Sequence, residues 1–133
     1  MANRLGQVQL EAWDEIIRCN GALTRDIDRR LNDECDISLQ TYQALLALEK
    51  AKDHRLRMTD LAQALYLDAS SLTRFIDRLE RKGLVSREAH PRDRRSIFAV
   101  LTQSGMTARQ NASAPYHDAL YERFGRHLSD DAA

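Results

Sequence analysis

The sequence predicts a mostly α-helical fold carrying one small β wing. Three observations lead there. Five glycines and two prolines in 133 residues leave few tight turns and favour long helices. Apolar residues recur at helical spacing through most of the chain. Only residues 84–101 break that rhythm, with two short β-type segments, 84–88 and 96–101, flanking the run His90-Pro91-Arg92-Asp93-Arg94, a turn stiffened by its proline.

Residues 7–31 read as one long helix. Ile16, Leu23, Ile27 and Leu31 form a stripe that Leu10, Trp13 and Ile17 widen. Its ~35–40 Å length, at 1.5 Å per residue, exceeds what a domain of this size needs for its own core, so a partner is expected on it. The polar, acidic residues 32–36 read as a loop. Ser38 is placed to cap the next helix, with Ile37 and Tyr42 spaced as a hydrophobic staple and Leu45, Leu46 and Leu48 on its apolar face. Residues 50–57 read as a charged connector. Thr59 is expected to cap a short third helix carrying Leu61, Ala62 and Leu65, and Tyr66 and Leu67 turn the chain. Asp68 caps a fourth helix, which Gly83 ends at the position after the C-cap. Thr102 caps a fifth helix, on which Ala112, Tyr116, Leu120, Phe124 and Leu128 recur every four residues; Pro115 is expected to kink or interrupt it.

Two helices joined by a three-residue turn and followed by a β-hairpin make a winged helix-turn-helix, flanked here by long helices suited to dimerisation. The fourth helix carries the functional signal. Leu72, Phe75, Ile76 and Leu79 share one face, whereas Ser70, Arg74, Asp77 and Arg81 point away from it, with Thr73 and Arg78 flanking. Hydroxyls and guanidiniums near the first half of such a helix hydrogen-bond base edges and phosphates in a major groove. Ser70, Ser71, Thr73, Arg74, Arg78 and Arg81 are therefore candidate DNA contacts, Arg74 foremost as a bidentate partner of guanine. The competing reading pairs Arg74 with Asp77, or Arg78 with Asp77 or Glu80, on a merely solvated face.

Charge distribution agrees with a DNA surface. The chain is neutral overall, yet residues 69–96 hold eight Lys/Arg against four Asp/Glu, a local excess of four. Arg92, Arg94 and Arg95 crowd the tip of the wing and are candidate backbone or minor-groove contacts. No apolar run approaches the ~18 residues that span a bilayer, and Arg4, Glu11, Asp14 and Glu15 interrupt any leader-like pattern, so a cytoplasmic protein is expected. No phosphate-binding glycine loop, nucleophile elbow or paired-histidine metal motif is present, which sets an enzyme aside, and no cofactor is expected.

From Met58 to Gly105 the chain resembles the multiple antibiotic resistance regulator (MarR) family. The pieces are Thr59-Asp60-Leu61-Ala62, Ser71-Leu72-Thr73-Arg74, Leu79-Glu80-Arg81-Lys82-Gly83-Leu84-Val85, Asp93-Arg94-Arg95-Ser96 and Leu101-Thr102-Gln103-Ser104-Gly105. Their order and spacing together are specific, and the long first helix and residues 39–48 fit too. The resemblance implies a homodimeric regulator, usually a repressor, on a near-palindromic operator of double-stranded DNA. It implies that the fourth helix enters the major groove and the wing the minor groove, with Asp93 shaping the wing by holding Arg95. It also implies release by a small, often phenolic, molecule bound between the dimerisation and DNA-binding parts. Trp13 and Tyr42 are candidates to line that pocket; plain core is the alternative for both. The resemblance divides the chain into a dimerisation helix and loop (1–36), a winged unit (37–101) and a second dimerisation segment (102–133). Ser129-Asp130-Asp131 reads as the start of a final helix that family members continue.

Two other functions remain open at this point. One is a redox-responsive regulator of the same family. Against it, Cys35 lies between Glu34 and Asp36, and Cys19 sits inside the first helix near Glu15. The other is a winged-helix protein-interaction adaptor, which the basic segment with outward Ser70, Arg74 and Arg94 disfavours.

Overall fold

The computed structural model describes residues 4–93 and 95–125. Candidate contact Arg94, together with Leu128 and the segment Ser129-Asp130-Asp131, lies outside them. Helix α1 spans Gln7–Cys35, α2 Leu39–Lys50, α3 Met58–Leu65, α4 Ala69–Arg81 and α5 Gln103–Leu120; strands are β1 Arg55–Arg57, β2 Val85–Ala89 and β3 Ile97–Leu101.

The predicted caps at Ser38, Asp68 and Thr102 are present. Ser38 Oγ accepts from Thr41 N at 3.0 Å, Asp68 Oδ1 from Ser71 N at 2.7 Å, and Thr102 Oγ1 from Gly105 N at 3.0 Å. Gly83 follows the α4 C-cap with φ +77°, a conformation that disfavours a side chain.

Four expectations change. The predicted loop at 32–36 is helical through Cys35. Leu31 is fully buried, Arg30 pairs with Glu34 one turn on, and only Asp36, at φ 58°, ends the helix. The charged connector contains a 3₁₀ turn, Lys52–His54, and strand β1, which pairs antiparallel with β3 (Leu56 opposite Ala99). Thr59 does not cap α3. The chain passes directly from β1 into the helix, so extended Arg57 occupies the cap position without a side-chain bond. Finally, Pro115 does not interrupt α5, which continues from Gln103 to Leu120. Burial of Ala112 and Ala119 beside it supports the helix against the one lost backbone bond.

The sheet order is β1-β3-β2, all antiparallel, with Val85 opposite Leu101 and Ala89 opposite Ile97. Two apolar clusters form. One, around Leu45, Leu61, Leu72, Ile76 and Ala99, closes the winged unit; the other, around Ile27, Leu31, Tyr42, Ala112 and Ala119, joins α1, α2 and α5. Gly105 lets α5 seat on the start of β2: a Cβ there would lie 2.1 Å from the Leu84 carbonyl oxygen. Arg109 of α5 pairs with Glu49 of α2 at 2.7 Å, and Asp28 of α1 accepts from Leu39 N at 2.7 Å, so both long helices are tied to the winged unit.

Candidate nucleic-acid interface

Helix α4 buries Leu72, Phe75, Ile76 and Leu79 and exposes Ser70, Thr73, Arg74, Arg78 and Arg81, as its periodicity predicts. Ser71 is half-buried, and its N–H donates to the Asp68 cap. That bond holds the Asp68 carboxyl below the usual carboxylate range, with Arg74 adding to the effect. The pairings expected for a solvated face do not form. Asp77 bonds Arg87 of β2, Arg78 lies over the Phe75 ring at 5.8 Å, and Arg74 has no ion pair among the described residues.

The wing tip is built by local bonds from the side chains of Asp93 and His90. Asp93 Oδ1 accepts from Arg95 N at 3.0 Å and Oδ2 from the Ser96 hydroxyl at 3.1 Å, while His90 Nδ1 accepts from Arg92 N at 3.0 Å. Asp93 thus holds the backbone of Arg95 rather than its guanidinium, because a short acid reaches an N–H two residues on. The guanidiniums of Arg92 and Arg95 are left at an exposed tip. Between wing and helix runs a groove of about 460 Å³ lined by Arg57, Met58, Thr73, Arg87 and Arg95.

The site therefore gathers Thr73 and Arg95 on one concavity with Arg57 and Arg87, two arginines that the sequence reading did not select. For Arg87 a signal existed: it stands two residues from buried Val85 along β2 and so shares that residue's face, toward the helices. Arg57 carried no comparable signal, since its strand is three residues long.

Trp13 and Tyr42 are not brought together. Tyr42 is 2% exposed and stacks on Tyr116 with ring centroids 4.3 Å apart. Trp13 is 57% exposed, 14 residues before Ile27 of the Tyr42 cluster, about 21 Å along the helix. Both cysteines disfavour the thiolate. The Cys19 thiol is pushed up by its hydrogen bond to Glu15, and the Cys35 thiol by burial and then by Glu34. Among the described residues no three His, Cys, Asp or Glu cluster as for a metal, and no helix is long and apolar enough to cross a membrane.

The MarR family profile matches residues 37–97. The transcriptional repressor YetL of Bacillus subtilis is 32% identical over 113 residues, covering 80% of this chain and 67% of YetL. This chain belongs to the MarR family. Transcriptional repressor MprA of Escherichia coli is 30% identical over 81 residues, 61% of this chain, which spans about half of MprA (46%). Among solved structures, the MarR family regulator Sco3205 of Streptomyces coelicolor, in complex with DNA, superposes with a TM-score of 0.86 at 28% identity, covering 95% of this chain and 79% of that one. The named MarR relatives are transcription regulators, not enzymes.

Proposed function

We propose that the protein is a homodimeric, sequence-specific DNA-binding repressor. The observation that carries this is the shared outward face of α4 and the wing: Ser70, Thr73 and Arg74 stand exposed on the helix, Arg92 and Arg95 at the wing tip, and an arginine-lined groove joins them. Helix α4 supplies base-edge contacts in the major groove, with Arg78 and Arg81 toward the backbone, and the wing arginines, Arg94 among them, approach the minor groove. The DNA complex of Sco3205 and the repressor names of YetL and MprA support the reading.

Segments 1–36 and 102–133 form the dimer in this reading. Leu10, Trp13, Ile16 and Ile17 remain 44–60% exposed on α1, a surface suited to a second copy. Repression is relieved in this reading by a small aromatic molecule rather than by oxidation, since the surroundings of both thiols push them away from the reactive thiolate. With Tyr42 closed into the core, the better-placed cradle is the groove beneath the wing, which basic Arg57 and Arg95 line together with apolar Met58 and Ile97. A flat anion seated there competes with DNA.

The test compares Arg74→Ala with Arg95→Ala on the selected operator and on scrambled DNA at several salt concentrations. Arg74→Ala is expected to cost ~1–3 kcal/mol on the operator only. Arg95→Ala is expected to weaken both DNAs and lower the salt slope by about one. Equal loss on both DNAs for Arg74→Ala, with altered sequence preference for Arg95→Ala, reverses the two roles. No effect from either places the DNA surface elsewhere.

A further inference from the structure

We propose that Arg87 and Asp77 form a clamp that sets the distance between the wing and α4, and thereby the spacing between the minor-groove and major-groove contacts of one protomer. This rests on the DNA-binding reading above.

The Arg87 guanidinium leaves β2 and grips a full turn of α4. Its Nη2 donates to the Thr73 carbonyl oxygen at 3.2 Å and to Asp77 Oδ1. Thr73 and Asp77 are four residues apart, so the grip spans one i to i+4 step at the centre of the exposed face. The Thr73 carbonyl already lies within the helix ladder and offers Arg87 its second lone pair. Asp77, which only the competing sequence reading paired with Arg74 or Arg78 on its own helix, is thereby taken by β2.

The pair is a poor choice if stability were its purpose. Both side chains are only partly exposed, 28% for Arg87 and 38% for Asp77. Arg87 Nε is buried without a hydrogen-bond partner, among the described residues. An apolar residue opposite buried Ala99 would fill the same space without stranding a donor. What an apolar residue cannot do is fix a distance and direction, which one guanidinium nitrogen does by donating to two acceptors on one turn of α4.

The wing needs such a fulcrum. Strand β1 ends at Arg57 opposite Phe98, and past that pair only β2 and β3 continue, to Ala89 and Ile97. A two-stranded ribbon is soft by itself. From Arg87 to the tip at Pro91–Asp93 is about 15 Å at 3.3 Å per residue, so a tilt of about 10° at the base displaces the tip by roughly 2–3 Å. That displacement separates a hydrogen bond to DNA from none. The other face of the ribbon carries a second brace, Arg55 to Glu88 at 2.8 Å, across the ring of Phe98. That brace stiffens the sheet itself; only Arg87 ties the sheet to α4 by an ion pair among those described.

The experiment uses the intact protein and the duplex it selects from a random-sequence pool. Variants are D77N, R87K, the exchanged pair D77K/R87E, and each with R95A. Affinity, thermal midpoint, hydroxyl-radical protection of the minor groove and methylation protection of major-groove guanines are measured. D77N and R87K are expected to bind about ten-fold more weakly with a midpoint within about 3 °C of wild type. Minor-groove protection is lost while guanine protection persists. Adding R95A to D77N lowers affinity no further, because the wing is already displaced, and the exchanged pair recovers part of the loss. Wild-type affinity and footprint in both single variants overturn the clamp and leave the DNA-binding reading intact. Loss of both protections in step with a falling midpoint, unrelieved by the exchanged pair, makes the pair a fold brace only and also overturns it. A wild-type protein that selects no duplex overturns the DNA-binding reading itself, and the clamp with it.

Discussion

The winged unit and the first half of α1 treat their apolar residues in opposite ways. In α2, α3 and α4, Leu45, Leu48, Leu61, Leu72 and Ile76 are at most 1% exposed. On α1, Val8, Trp13 and Ile16 are 78%, 57% and 60% exposed, and only Ile27 and Leu31 are buried. Both regions show helical apolar periodicity in sequence. The difference teaches that periodicity says a face will be covered, not what covers it. Within the winged unit, three-residue turns and a hairpin fold the covering elements back locally. Among the described residues, none covers the first four turns of α1.

The largest effect should come from the closed region. Leu72→Ala is expected to cost ~2–5 kcal/mol in denaturant unfolding, with a cavity left among Leu45, Leu61 and Ile76. A loss below 1 kcal/mol would mean that this core is looser than its burial indicates. The open region should answer differently. Ile16→Asp with Ile17→Asp is expected to raise the dimer dissociation constant at least ~100-fold in sedimentation while helix content by circular dichroism is kept. Unfolding of the winged unit, or an unchanged dimer, would erase the contrast between the two regions.

Gly105→Ala probes the seam where α5 meets the winged unit. Its methyl group would collide with the Leu84 carbonyl oxygen and Leu101 Cδ1, so ~1–3 kcal/mol of stability should be lost, measured by the same unfolding assay. Neutral behaviour would show that α5 moves off β2 without cost.

The smallest effect concerns the α4 cap. The Asp68 carboxyl is held below its ordinary value by the Ser71 N–H, so its folded pKa lies under its unfolded one. Its contribution is complete above the unfolded value of about 3.9 and disappears as pH falls through the folded value. Unfolding followed from pH 5 to pH 2 should therefore show a shallower decline for Asp68→Asn than for wild type. Parallel curves would remove Asp68 from the acid response.

Much of the winged unit was legible because its determinants are local. Ser38, Asp68 and Thr102 cap helices through N–H groups three residues away, and the four buried positions of α4 repeat within a single helix. What escaped depends on distant partners. Strand β1 is three residues, Arg-Leu-Arg, too short to show alternation, and is a strand only because β3 lies beside it. Arg57 enters the groove by the same route. The Asp77–Arg87 pair joins residues ten positions apart on different elements, whereas spacing along one helix suggested Arg74 or Arg78.

By itself, then, the sequence determined the helices, most of their caps, the hairpin and the outward face of α4, since each follows from interactions within a few residues. It also determined the long apolar stripe on α1, whose first half stays exposed among the described residues. Only the tertiary structure decided that Tyr42 stacks on Tyr116 away from Trp13, that α1 runs on to Cys35, and that Arg87 rather than a helix neighbour takes Asp77. Burial and ion pairing are settled by which surfaces meet, and spacing along the chain reports only which surfaces exist.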